Sequence, residues 1–169
     1  RRALSLLMSH SFAKKALKGI HKTAIVDPSA DVSDDAYVGP YCVIGANAVI
    51  CPRAQLSSHI TVDQYCYIGQ GTMIGPHAHI SSRATLGAQC KVGSHAIIGE
   101  SGFGYDRTES GWQEIFHPAS VKLGDNVAIG PNTVVCCGLL SDTDIADGVK
   151  IDGQCWIAHG VIVGAHTII

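Results

Sequence analysis

One histidine stands apart in the segment IDGQCWIAHGVIVG. His159 follows Ile157 by two positions, in a stretch whose aliphatic residues recur every sixth place, so its imidazole is expected to project outward from the side of the chain. Imidazole titrates near neutrality, and an amine or hydroxyl attacking a thioester needs a base of that kind. A lone outward histidine is also what an ordinary surface carries, so His159 by itself does not decide the chemistry. A second candidate is the stretch Glu100 to Ser120, ESGFGYDRTESGWQEIFHPAS, which has no six-residue register. Long excursions from a regular scaffold usually carry function. Its opening, SGFGYD, places Phe103 and Tyr105 among glycines, which suits close packing against an extended ligand or a neighbouring subunit. A loop that folds on its own Phe103, Tyr105 and Trp112 reads equally well.

The elements that must position these residues are set by a strict repeat. From Val26 through Val32, Val38, Ile44 and onward to Val92 and Ile98, every sixth residue is aliphatic, and four places later stands a second small or apolar residue such as Ala30, Cys42, Ala54, Cys66 or Ala96. A helix face would recur at three and four, and a sandwich strand at two with irregular turns. Period six predicts an all-β solenoid in which each hexad supplies one short strand and one turn, and stacked coils bury a continuous column of Val, Ile and Leu. Glycine or a small residue often follows the aliphatic position, as at Gly39, Gly45 and Gly69, where the chain must turn beside its neighbour. The register stops after Ile98 and resumes at Leu123. It then slips through CCGLLSDTD and settles again at Ile145, Ile151, Ile157, Val163 and Ile169.

Composition bounds the function. A chain of 169 residues with 46% hydrophobic content suits one domain with a substantial core, and a net charge of −2 argues against a nucleic-acid partner. No apolar run approaches the roughly 20 residues of a membrane-spanning helix. Of the seven cysteines, Cys42, Cys66, Cys90 and Cys155 fall on the small inward position, where a thiol acts as a compact hydrophobe. Cys51, Cys136 and Cys137 fall at or beside turns, and without a C-x-x-C pair neither a disulfide framework nor a zinc site is expected. Residues 1–22 lie outside the repeat. They are basic, with no acid before Asp27, and carry apolar residues at roughly helical spacing. They read as a short helical cap, a connector from an upstream domain, or the remnant of a targeting peptide. The expected organisation is therefore this segment followed by a solenoid over 23–169, with a loop protruding at 100–120.

Three runs, GESGFGYDRTESGW, LGDNVAIGPNTVV and DTDIADGVKIDGQCWIAHGVIVG, closely resemble the UDP-3-O-(3-hydroxyacyl)glucosamine N-acyltransferases of lipid A biosynthesis, over about Ile20 to the end. The resemblance implies a left-handed parallel β-helix assembled as a homotrimer, with active sites in the grooves between subunits. It implies transfer of a 3-hydroxyacyl group from the phosphopantetheine thioester of acyl carrier protein to the 2-amine of a UDP-acylglucosamine, with no bound cofactor and no metal. By the same resemblance His159 is the general base. Asp152 and Gln154 of the IDGQ segment lie beside the carrier's arm, and Gly102, Phe103, Gly104 and Tyr105 belong to a loop near the groove. The chain departs from the family where Ser101 replaces an aspartate, Gly153 an asparagine, Val135-Cys136-Cys137-Gly138 the sequence IDRG, and Ala158-His159-Gly160 the sequence AHN. The family's later coils and its uridine-binding domain are expected beyond this sequence.

Two other classes use the same solenoid. One is a catalytically degenerate scaffold subunit of a larger complex, mitochondrial if residues 1–22 are a transit remnant, whereas a bacterial enzyme of this kind is expected in the cytoplasm. The other is a γ-type carbonic anhydrase, whose zinc is held by three histidines across a subunit interface. His59, His77, His79, His95, His117, His159 and His166 provide no H-x₄-H pair of that family's kind.

Overall fold

A computed structural model describes residues 17–169. The reading of a helical cap falls mainly on residues 1–16, outside the described residues. From Gly19 onward the chain winds as a parallel β-helix with three faces, each a seven-stranded sheet. The first face runs through Gly19–Ile20, Tyr37–Val38, Gln55–Leu56, Met73–Ile74, Lys91–Val92, Ala128–Ile129 and Lys150–Ile151. The second runs through Ile25–Val26, Val43–Ile44, Thr61–Val62, His79–Ile80, Ile97–Glu100, Val134–Cys136 and Trp156–Ile157. The third runs through Asp31–Val32, Val49–Ile50, Tyr67–Ile68, Thr85–Leu86, Val121–Leu123, Thr143–Ile145 and Ile162–Val163. Before the excursion every strand pairs in parallel with the strand three hexads later, as Val26 with Ile44 and Ile74 with Val92. Gly19–Ile20 already pairs with Tyr37–Val38, so the sheet begins a few residues ahead of the repeat legible in sequence.

The aliphatic register is the interior. Val38, Ile44, Ile50, Leu56, Val62, Ile68, Ile74, Ile80, Leu86 and Ile98 are each no more than 1% exposed, and full burial of such a side chain is worth roughly 1.5–3 kcal/mol. The second inward position has a further role. Its thiols donate across to the next coil, Cys42 to the Ser57 carbonyl at 2.9 Å, Cys66 to Ser81 at 3.1 Å and Cys90 to Gly124 at 3.1 Å. Thr72 does the same to Gly87 at 2.8 Å. Burial pushes the Cys66 thiol up to about 11, so it stays protonated as a donor. Cys155 is only half-buried, near the last coils.

At the corners the chain passes through left-handed backbone, mostly with residues other than glycine. The corner between the first and second faces uses Tyr41, His59, His77 and His95, with φ of 58°, 58°, 61° and 58°. This conformation is uncommon for side-chain-bearing residues. Here the four rings stack on one another at 5.0, 4.7 and 4.8 Å between centroids. The glycine after the aliphatic residue answers a different need from the turn expected of it. A Cβ on Gly39 would stand 2.3 Å from the Ser57 carbonyl oxygen, so it is the closeness of the next coil that excludes a side chain there.

Both interruptions of the register fall at one corner, between the second and third faces. The chain leaves the second face after Glu100, makes an antiparallel hairpin from Tyr105–Thr108 and Gly111–Glu114, and rejoins the third face at Val121. The slipped segment lies one coil further on and grips the ends of this excursion. The Cys137 amide donates to the Glu100 carbonyl at 2.7 Å, and the Thr143 amide to Ser120 at 3.0 Å. Asp142 accepts the Ser120 amide at 2.7 Å and pairs with Lys122 at 2.8 Å. From the coil below, Arg83 donates to the Pro118 carbonyl at 2.6 Å. The extra residues of CCGLLSDTD are thus the clamp that the loop requires.

Candidate functional site

His159 stands at this same corner, one coil beyond the clamp, on the turn that follows Trp156–Ile157. Its position is tied down by the neighbouring Gly160 amide, which donates to the Thr143 hydroxyl at 2.9 Å. The imidazole is half-buried, and what covers it is the excursion. The His117 ring lies edge-on to it, with centroids 4.7 Å apart and planes at 66°. Gly102 lies over both rings: a Cβ there would be 2.5 Å from His117 Nε2 and 2.8 Å from His159 Cδ2. Gly104 covers the other side of His117, where a Cβ would meet Cε1 at 3.1 Å. The two imidazoles beneath Gly102 therefore leave no room for a side chain there, while Gly104 is only closely packed against His117.

His117 is 4% exposed, and among the described residues neither ring nitrogen has a partner. Its backbone is held by the Cys137 thiol, which donates to the His117 carbonyl at 3.5 Å. Burial raises both thiols of the vicinal pair, Cys136 to about 11, so at neutral pH they are protonated, weakly polar walls. Glu100 is an acid at this corner, with Asp142 of the clamp. It is exposed, and its Oε1 accepts the Ser101 amide at 3.0 Å.

Beside the histidines the hairpin forms an open apolar cleft of about 650 Å³ lined by Phe103, Gly104, Tyr105, Trp112 and Ile115. Phe103 and Tyr105 touch edge to face at 5.1 Å, and the Arg107 guanidinium lies 5.8 Å from the centre of the Trp112 ring. Phe103 is nonetheless 83% exposed and Trp112 69%. The loop's aromatic residues make contacts among themselves and still present a large apolar surface.

The structure brings His159 together with Gly102 and Gly104 and places Phe103 and Tyr105 next to them. It does not bring Asp152 and Gln154 to His159 within the chain. They sit on the corner between the first and second faces, at the other edge of the Trp156–Ile157 strand. Asp152 is exposed and accepts the Gly153 amide at 2.8 Å. Gln154 takes the left-handed corner position, φ 60°, in the column that continues from His95 and Asn132. One side of the prism separates the two groups, at most about 25 Å of extended chain. In sequence His117 stands out only as one of the histidines weighed for zinc, because nothing periodic marks the end of an irregular loop. His77 and His79, two of the histidines weighed for zinc, also diverge: His77 is on a corner, while His79 is in a strand with Nε2 3.1 Å from Asp63. Among the described residues, no three His, Cys, Asp or Glu side chains come together as a metal site.

Fold and repeat define a hexapeptide-repeat solenoid. The family described as bacterial transferase hexapeptide (six repeats) matches residues 65–100. In sequence the chain is a homologue of the UDP-3-O-acylglucosamine N-acyltransferases. It is 55% identical over 155 residues to the enzyme of that name from Neisseria meningitidis serogroup B, covering 92% of this chain and 44% of the relative. The enzyme from Bordetella parapertussis is 52% identical over 155 residues, with 89% and 43% covered, and that from Pseudomonas entomophila 45% over 158 residues, with 92% and 45% covered. The chain thus spans less than half the length of these relatives. Among solved structures, UDP-N-acetylglucosamine acyltransferase from Campylobacter jejuni is similar at TM-score 0.54 and 25% identity, covering 89% of this chain and 50% of that one. The acetyltransferase domain of PglB from Neisseria gonorrhoeae FA1090, in complex with acetyl coenzyme A, shares the fold at TM-score 0.63 and 23% identity, with 91% and 63% covered. These relatives are bacterial and lend no support to a mitochondrial setting. Among the described residues no helix is long and apolar enough to cross a membrane.

Proposed function

We propose that this chain carries the acyl-transfer site of a UDP-3-O-acylglucosamine N-acyltransferase, moving a 3-hydroxyacyl group from the thioester of acyl carrier protein to the 2-amine of a UDP-linked acylglucosamine. The observation that carries this reading is the setting of His159, which is half-buried under a glycine-lined loop and flanked by an open apolar cleft. The amine attacks the thioester carbon and a C–N bond forms. His159 takes the proton that the amine loses, the C–S bond breaks, and the proton passes from His159 to the departing thiolate. The apolar cleft of Phe103, Tyr105, Trp112 and Ile115 suits a hydrocarbon chain, and the exposed aromatics suit a donor that must enter and leave.

A homotrimer fits the split between the two halves of the site. Asp152 and Gln154 lie at one edge of the second face and His159 at the other, so a three-fold assembly that sets one subunit's edge against its neighbour's opposite edge unites them in a groove. The acyl carrier, its phosphopantetheine arm and the UDP-sugar would meet there. His159→Ala in the full-length protein is expected to lower transfer by about 10²–10⁴-fold, the usual contribution of a positioned base, while subunit assembly and melting stay unchanged. A full-length wild-type protein that transfers from no acyl carrier or coenzyme A thioester to a UDP-sugar would instead establish the scaffold reading.

A further inference from the structure

We propose that His117 is a positioning residue for the base: one of its ring nitrogens accepts the second N–H of His159 while His159 carries the proton taken from the amine. The inference rests on the acyltransferase reading and adds a residue to it. His117 is 4% exposed, with Nδ1 and Nε2 both buried and unpartnered, and its ring edge meets the ring of His159 at 4.7 Å between centroids. A native interior rarely leaves a polar side chain wholly unpaired, and one that does so beside a reacting group points to a contact made only during function. A phenylalanine would fill the same space and support the same edge-on packing without leaving a polar atom dry. The imidazole is therefore explained by its nitrogens.

The moment at which those nitrogens find a partner follows from the chemistry. Neutral His159 has one lone pair, which faces the amine, and one N–H. That N–H, turned away from the substrate, becomes a stronger donor once His159 has taken the amine proton and is cationic, so its need for an acceptor is greatest then. His117 supplies a lone pair on a ring whose separation from His159 allows a hydrogen bond after a modest rotation. No proton is transferred to His117, and the bond relaxes when the leaving thiolate takes the proton back. The base and its orienter form the two-member arrangement that activates bases in many transferases and hydrolases. His117 is kept from turning elsewhere by its anchors: the Cys137 thiol on its carbonyl, Arg83 on the carbonyl of Pro118, and Gly102 and Gly104 against its ring.

Two substitutions at position 117 in the full-length enzyme separate this role from packing. His117→Phe keeps the ring and removes the acceptor; His117→Gln removes the ring and keeps an acceptor oxygen. A positioning role predicts that kcat falls about 10²-fold in His117→Phe with KM unchanged, and that His117→Gln retains activity to within about 10-fold. The reverse order, with Phe active and Gln inactive, overturns the proposal and leaves acyl transfer by His159 intact. Imidazole ¹⁵N spectra at a pH where His159 is protonated give a readout free of turnover: a hydrogen-bonded His159 N–H should be present in the wild type and absent in His117→Phe. An unchanged signal also overturns it. If the wild type transfers no acyl group, the functional reading fails, and the same spectra still decide the contact.

Discussion

Adding a single methyl group at Gly102 tests the geometry of the site most directly. In Gly102→Ala the new Cβ would sit 2.5 Å from Nε2 and 2.6 Å from Cδ2 of His117, and 2.8 Å from Cδ2 of His159. Ordinary contact begins near 3.4 Å, so the His117 ring must retreat by about 0.9 Å and that of His159 by about 0.6 Å. His117 cannot easily do so, being buried and anchored through its carbonyl. Either the rings shift or the SGFGY segment lifts off. Overpacking of this kind costs about 1–3 kcal/mol, which in a domain of this size lowers Tm by about 2–10 °C. A misplacement of 1 Å costs on the order of 10²-fold in rate, so the shift of about 0.6 Å at His159 should lower turnover by up to about that factor. Thermal unfolding followed by circular dichroism, together with acyl transfer at saturating acceptor, measures both effects. Gly104→Ala is the internal comparison: its contacts are 3.1 to 3.5 Å, so a smaller loss on both axes is expected. If Gly102→Ala melts and turns over like the wild type while Gly104→Ala does not, the close covering of the two imidazoles by Gly102 is wrong.

Two further outcomes test the scaffold that holds the site. Thr72 is fully buried, donates to the Gly87 carbonyl at 2.8 Å and accepts the Cys90 amide at 3.0 Å, so the near-isosteric Thr72→Val leaves two backbone groups dry. It should destabilise by about 1–3 kcal/mol in chemical denaturation, and an equal midpoint would contradict the bonding assigned to it. Asp142 is held below the usual carboxylate range by its hydrogen bond from Lys122 and then by the Ser120 amide. A carboxyl depressed on folding contributes stability that is present above its unfolded value and lost as pH falls through the depressed folded one. Asp142→Asn should therefore melt lower than the wild type at neutral pH and converge with it in acid, and a difference that persists unchanged into acid would count against the clamp.

Much of the fold was legible because a solenoid writes its inward positions locally: whether Ile68 or Ile74 faces inward depends only on its place in the hexad, and both are buried as the period predicts. The glycine that often follows the aliphatic residue was legible as a position but not as a cause, since the collision between Gly39 and the Ser57 carbonyl involves the next coil. Phe103 and Tyr105 could be named as residues of a special loop. Their contact with each other and their open cleft could not, because an irregular segment has no period from which a direction can be read.

The six-residue period thus determined by itself that the chain is an all-β solenoid, where the register breaks, and that His159 faces outward, since each depends on neighbours within one turn. Only the tertiary structure decided which corners coincide. Uniform hexads place residues three hexads apart in contact, but the excursion and the slip change the number of residues per coil, so distance along the chain no longer gives distance in space. That change stacks Glu100, the CCGLLSDTD clamp and His159 at one corner and turns His117 inward against His159.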